Sequence, residues 1–274
     1  MEVSNSTPIG PTGKLQNKVS MPYQFTIGQV ISEGWQRVKG VKKTYWGAVL
    51  IWLSIYIALT AVGSLVLYLS TGSFNLDATN DKAEVLRAIL NFIITLVTLP
   101  LPIGISVLAI YRSVNRPIRA KQIFAAYQFF WRLLLFTIIL YAGLYLIFSV
   151  IMLALVYLAV HLGKLPGLHF LASLTSITAL TMISALIAIY YFFSLTFASL
   201  LIVEKRFGVF QAIKTSFLAF KQHGFKIIAT IFCLLIIIAI SMIPIGLGLI
   251  WTLPLAYNSM GILYRIQFGV GKNF

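Results

Sequence analysis

Ionisable residues are scarce in this chain. Only 10% of its 274 residues are charged, against about 25% in an ordinary soluble domain. Acids are rarest: Glu2, Glu33, Asp77, Asp81, Glu84 and Glu204 are all there are. Three histidines, His161, His169 and His223, and one cysteine, Cys233, complete the supply of metal-ligating side chains. Zinc usually takes three or four protein ligands, and no such set is grouped here, so no metal site is expected. A single cysteine excludes a disulfide within the chain. No serine or cysteine sits in a context such as G-x-S-x-G, and no glycine-rich phosphate loop is present. The acids Asp77, Asp81 and Glu84 suit the start of a helix, and Glu204, beside Lys205 and Arg206, suits an ion-paired boundary position. Catalytic residues and cofactors are therefore not expected.

Apolar residues make up 59% of the chain, and mean hydropathy is +0.94. Water cannot solvate such a surface, but hydrocarbon can. A helix crossing a bilayer needs about 20 mostly apolar residues. Six stretches qualify: Tyr45–Leu69, Ala88–Ile110, Leu133–Val160, Ile177–Val203, Ile227–Ile243 and Leu247–Tyr264. None contains Asp, Glu, Lys, Arg or His. The fifth has 17 residues, 11 of them Leu, Ile or Phe. Insertion of that stretch is favoured by about 3–7 kcal/mol before other terms. A tight turn at Pro244–Gly246 makes the last two stretches a hairpin. Phe170–Ser176 either extends the fourth helix or forms a re-entrant piece.

The net charge of +15 would suggest nucleic acid in a soluble chain. Its distribution points instead to topology. Eighteen Lys and Arg lie before the first stretch, between the second and third, between the fourth and fifth, and after the sixth. Only Lys82, Arg87 and Lys164 lie on the other side. The positive-inside rule places the first group, and both termini, in the cytoplasm. Residues 1–24 lack the apolar core of a signal peptide and read as a disordered cytoplasmic tail. Residues 25–265 read as one transmembrane domain, and 266–274 as a second cytoplasmic tail.

A repeat runs through the domain. Phe25-Thr26-Ile27-Gly28-Gln29-Val30-Ile31 resembles Phe207-Gly208-Val209-Phe210-Gln211-Ala212-Ile213, 182 residues later. A third, more divergent copy aligns Gln122 with Gln29 and Gln211, and Arg132 with Lys39 and Lys221. The repeat units are about 25–110, 117–203 and 207–264. Each opens with a segment of helical periodicity. The expected apolar faces are Ile27, Val30, Ile31, Trp35 and Val38; then Ala120, Phe124, Tyr127 and Trp131; then Val209, Ile213, Phe217 and Phe220. Thr26 and Gln29 fit a capping box, with Phe25 and Val30 as a staple. The expected fold is all-α: a polytopic membrane protein with six transmembrane helices, arranged as three hairpins, each preceded by a cytoplasmic amphipathic helix.

Ala198–Lys221 reads ASLLIVEKRFGVFQAIKTSFLAFK. A long apolar helix ends in Val203 and Glu204, followed by Gly208 and the core Ala212, Ile213, Lys214 and Ser216. This stretch resembles the linker of the YciC-type inner-membrane proteins of bacteria, and is similar to the membrane domains attached to some glycerophosphodiester phosphodiesterases. Ser216 stands one place later than that pattern has it, and Ser199 stands where proline is frequent. The resemblance implies six helices in the bacterial inner membrane and carries over no catalytic residue.

Two functions fit these features. In the first, Lys39, Arg132 and Lys221 contact anionic headgroups at the cytoplasmic leaflet, and the protein organises lipid or partner proteins there. Each basic residue near such a surface contributes about 1 kcal/mol. In the second, the chain carries or exports lipid-like or other hydrophobic molecules. A broken second helix at Pro100, Pro102 and Gly104, a kink at Pro254, and an intramembrane polar site of Asn91, Thr95, Thr98 and Asn258 would serve it. Ion-coupled transport is disfavoured, because its pathways are marked by ionisable residues in the spans.

Overall fold

The computed structural model describes residues 25–72, 81–162 and 168–271. The expected N-terminal tail, Asp77 and Lys164 lie outside them. The described residues form helices and connecting turns, with no strand among them. In order, these are α1 (Ile27–Gln36), α2 (Lys42–Thr71), α3 (Asp81–Thr98), α4 (Pro100–Ser113), a 3-10 helix (Ala120–Phe129), α5 (Phe130–Leu162), α6 (Leu168–Ser194), α7 (Ala198–Glu204), α8 (Val209–Met242) and α9 (Leu249–Phe268).

Five helical stretches among the described residues are long and apolar enough to cross a membrane: Lys42–Ser70, Ala83–Ser113, Ala120–Tyr157, Thr178–Glu204 and Val209–Met242. The chain is therefore compatible with a multi-pass membrane protein. The sixth expected stretch corresponds to α9, which is not among the five. Phe170–Ser176 simply belongs to α6.

Two expected spans are broken, each for an identifiable reason. The second breaks at Leu99 between α3 and α4. Pro100 and Pro102 lack the N–H groups that would continue the ladder. The fourth breaks at Leu195–Phe197, where no proline or glycine announces it. There the amides of Leu195, Thr196 and Ala198 donate to carbonyls three residues back. The Ser194 carbonyl freed by that tightening accepts the Ser216 hydroxyl at 2.7 Å.

The segments that open the hairpins are built differently. Only the first is a separate helix. Thr26 Oγ1 accepts from the Gln29 amide at 3.3 Å, and Gln29 Oε1 accepts from the Thr26 amide at 3.0 Å, a complete capping box. Gln122 makes the same return bond to the Arg119 amide, at 2.8 Å. The second segment is the 3-10 helix and leads straight into α5, while the third is the first part of α8.

Their packing follows one rule. Each opening segment lies against helices other than the one it leads into: α1 on α9, the 3-10 helix on α4, and the start of α8 on α6 and α7. The residue after each aligned glutamine, Val30, Ile123 and Ala212, is at most 1% exposed. Five residues after each glutamine stand Gly34, Tyr127 and Ser216. The Gly34 carbonyl accepts from Asn258 on α9, Tyr127 donates to the Val97 carbonyl at the α3–α4 break, and Ser216 donates to the α6–α7 break. Past α4, α7 and α9 the chain turns through left-handed backbone at Asn115, Arg206 and Gly269. The buried core lies among α4, α7, α9 and these segments. The outer lengths of α2, α3, α5 and α6 leave many large apolar side chains exposed, among them Leu69, Phe92, Leu153 and Leu186.

Candidate functional site

The basic side of the fold is fastened by a polar network at the ends of α1, α4 and α9. Arg265 on α9 reaches both carboxylate oxygens of Glu33 at 2.7 and 2.8 Å and donates to the Ser113 carbonyl. Arg37 pairs with Glu33 at 2.6 Å and donates to Asn115 Oδ1 at 3.2 Å. Arg112 donates to the carbonyls of Arg37 and Lys39. One carboxylate thus stands among three guanidiniums. Burial lowers the Arg37 pKa, Glu33 raises it, and the nearby Arg265 and Arg112 lower it. Most of these donors are occupied by protein oxygens, so the cluster acts as a latch.

Next to the latch, the turn between α1 and α2 forms a cleft of about 470 Å³. Trp35, Val38, Lys39, Gly40, Lys42, Lys43 and Trp251 line it. Gly40 adopts φ +83°, a left-handed conformation that glycine takes without cost. The three lysines stand on either side of this turn and all line the cleft. Lys42 Nζ lies 4.6 Å from the centroid of the Trp251 ring, a cation–π contact. No described carboxylate pairs with Lys39, Lys42 or Lys43. The cleft therefore presents net positive charge between two indole rings. Tryptophan is favoured at membrane–water boundaries for its apolar body and polar edge.

The three expected headgroup contacts are dispersed. Lys39 is exposed in this cleft. Arg132 donates to the Arg206 carbonyl at 3.1 Å, tying α5 to the α7–α8 turn. Lys221 is exposed on α8. No family model, curated protein or solved structure matches the chain. The site's meaning thus rests on its own chemistry.

The expected intramembrane polar residues are not gathered either. Asn91 and Thr95 are exposed on α3, and the Thr95 hydroxyl donates to the Asn91 carbonyl. Thr98 is buried and donates to the Ile94 carbonyl. No hydrogen bond between described residues links these three to Asn258. Asn258 is fully buried elsewhere, where α1, α2 and α9 meet. Its Oδ1 accepts from Tyr45 at 2.7 Å, and its Nδ2 donates to the Gly34 carbonyl. It joins three helices and lines no shared chamber with α3.

Glu204 is ion-paired as expected, with Lys205 at 3.5 Å. It is also 3% exposed and accepts from the Tyr264 hydroxyl at 2.8 Å and the Gly271 amide at 2.7 Å. Its work is to hold the end of the chain against α7. Among the described residues no group of three His, Cys, Asp or Glu could hold a metal ion. The side chains of His161 and His169 lie outside the described set.

The Lys42–Trp251 contact also constrains the last hairpin. Lysine and tryptophan side chains together bridge at most roughly 16 Å between their Cα atoms across such a contact. Gly246 precedes Trp251 by five residues, a 3-10-type turn leading into α9 and about 10 Å long. The turn before α9 then lies within about 26 Å of Lys42, somewhat less than the roughly 30 Å hydrocarbon layer. The reason is α1, which lies along α9, with Val38 packed on Leu255 and Gly34 on Ser259.

Proposed function

We propose that this chain is a non-enzymatic, multi-pass protein of the bacterial inner membrane that gathers anionic lipid, or partner proteins, at the cytoplasmic leaflet. The observation that carries this reading is the cleft of Lys39, Lys42 and Lys43 between Trp35 and Trp251, with no described carboxylate to neutralise it. Three clustered lysines contribute about 3 kcal/mol of attraction to an anionic surface. The asymmetry of 18 basic residues against three supports a cytoplasmic placement of that cleft.

On this reading the domain consists of three copies of one unit, an opening segment followed by a hairpin, and both termini face the cytoplasm. Ala198–Lys221 resembles the linker of a six-helix inner-membrane family, from which a third hairpin that stops short of crossing would depart. The first two hairpins, α2 to α4 and α5 to α7, cross the bilayer fully. The short reach from Lys42 to the turn before α9 favours a third hairpin that enters and leaves on the basic side.

The test is lipid retention by the full-length protein extracted in mild detergent. Wild type should retain phosphatidylglycerol over phosphatidylcholine, less so as salt rises. The Lys39→Gln, Lys42→Gln, Lys43→Gln variant should lose that preference. An unchanged preference overturns the reading.

A further inference from the structure

A second cleft, of about 440 Å³ and sharing no lining residue with the first, lies where α4, the α6–α7 region and the last two helices meet. Ile103 and Ser106 of α4, Thr196 and Ser199 at the α6–α7 break, and Leu253 and Tyr257 of α9 are among its walls. Each of the three hairpins contributes a wall. The whole lining is uncharged.

Two observations say what fits there. The first is the surroundings. Ile240, Met242, Ile243 and Leu247, close in sequence to the lining residues Ile238 and Leu249, are 59–79% exposed, so this end of α8 and α9 presents an apolar surface. Water does not favour such a surface, so a ligand reaches the cleft through hydrocarbon and must itself be soluble in it. The second is an unused donor. Thr196 Oγ1 is buried, and no hydrogen-bond partner reaches it. A buried hydroxyl without an acceptor is destabilising, and an occupant with a carbonyl oxygen would remove that cost. The volume falls in the range of small-molecule sites, roughly 300–1,000 Å³.

We infer that this cleft binds one acyl chain of a membrane lipid, with the chain's ester carbonyl accepting from Thr196. An ester-linked acyl chain combines the apolar length that the walls require with one acceptor at its end. No charge lines the cleft, so the headgroup plays no part in recognition. This separates the site from the lysine cleft and from the function proposed above.

The experiment is native mass spectrometry of the full-length protein in detergent, reading tightly held lipid per chain, with phosphatidylcholine as the added probe. Wild type should retain one lipid after delipidation and rebind one phosphatidylcholine. Ala256→Phe, which narrows the cleft, should reduce retention at least tenfold. Thr196→Val keeps the side-chain shape without the donor and should reduce it about three- to tenfold. Thermal unfolding identifies any variant that fails to fold, and Ser199→Leu, on the opposite wall, then replaces it. Replacing Lys39, Lys42 and Lys43 with Gln should leave phosphatidylcholine binding unchanged. Retention unaffected by the narrowing variants overturns the inference. So does a retained species without an acyl chain, or retention that follows headgroup charge.

Discussion

Asn258 and Tyr45 provide the sharpest test of the packing described here. The two side chains are 213 residues apart in sequence and share a 2.7 Å hydrogen bond, both fully buried. Replacing Asn258 with Leu strands the Tyr45 hydroxyl; replacing Tyr45 with Phe strands Asn258 Oδ1. A stranded buried group costs about 1–3 kcal/mol, while hydrogen bonds in membrane helices reach at most about 1.7 kcal/mol. Each single variant should therefore lose about 1–3 kcal/mol. The double variant leaves no orphan at this pair and should lose much less than their sum. A coupling energy of about 1–2 kcal/mol is expected. Reversible denaturation of full-length protein in mixed micelles, followed by circular dichroism, gives the four stabilities. Independent sites add to within about 0.3–0.5 kcal/mol. A coupling within that margin would refute the claim that α2 and α9 are joined through Tyr45 and Asn258.

Other expectations concern glycines and the last turn. A Cβ at Gly104 would overlap the Ile123 backbone, and one at Gly261 would overlap the Ala109 backbone. Overpacking of about 1–3 kcal/mol should outweigh the roughly 1 kcal/mol gain in helix propensity, lowering the stability of both alanine variants. Gly28 is helical with open space around its Cβ position, so Gly28→Ala should raise stability by about 0.5–1 kcal/mol, and a loss there would contradict the packing of α1. Gly40→Ala, at φ +83°, should cost about 1–2 kcal/mol, and a neutral result would count against that turn. With Cys233 replaced by Ser, a cysteine at Ile245 should resist an impermeant thiol reagent applied outside intact cells; ready labelling would show that the third hairpin crosses completely.

Much of this was legible in the residues, and the failures share a cause. The capping box followed from Thr26 and Gln29 because a polar N-cap with an amide three residues on has one low-energy geometry. The interruption at Leu99, where the backbone stays helical, falls at the two prolines that the sequence offers for a break or a kink. The buried faces were harder. An α-helical count over Ala120, Phe124, Tyr127 and Trp131 misses the face that is buried, Ile123 and Ala126. That segment is a 3-10 helix, in which residues three apart align. In the first and third segments the expected Val30, Val38, Val209 and Phe220 are buried, but Trp35 is 53% and Phe217 41% exposed, while the small Gly34, Ala212, Ser216 and Ala219 are buried as well. Helices in bilayers approach through small residues, and lipid covers the large ones. The break at Leu195–Phe197 gave no local signal, because the bond that stabilises it comes from Ser216, 22 residues away. A list of intramembrane amides and hydroxyls does not say which of them bond to their own helix, as Thr95 and Thr98 do.

The account depends on which loops face which side of the bilayer. Single cysteines in a Cys233→Ser background, probed in intact cells with a membrane-impermeant thiol reagent, measure that directly. A cysteine at Gly72 should label from outside, while cysteines at Asn115 and Arg206 should label only after permeabilisation. Labelling of Asn115 or Arg206 in intact cells, with Gly72 protected, would contradict the account.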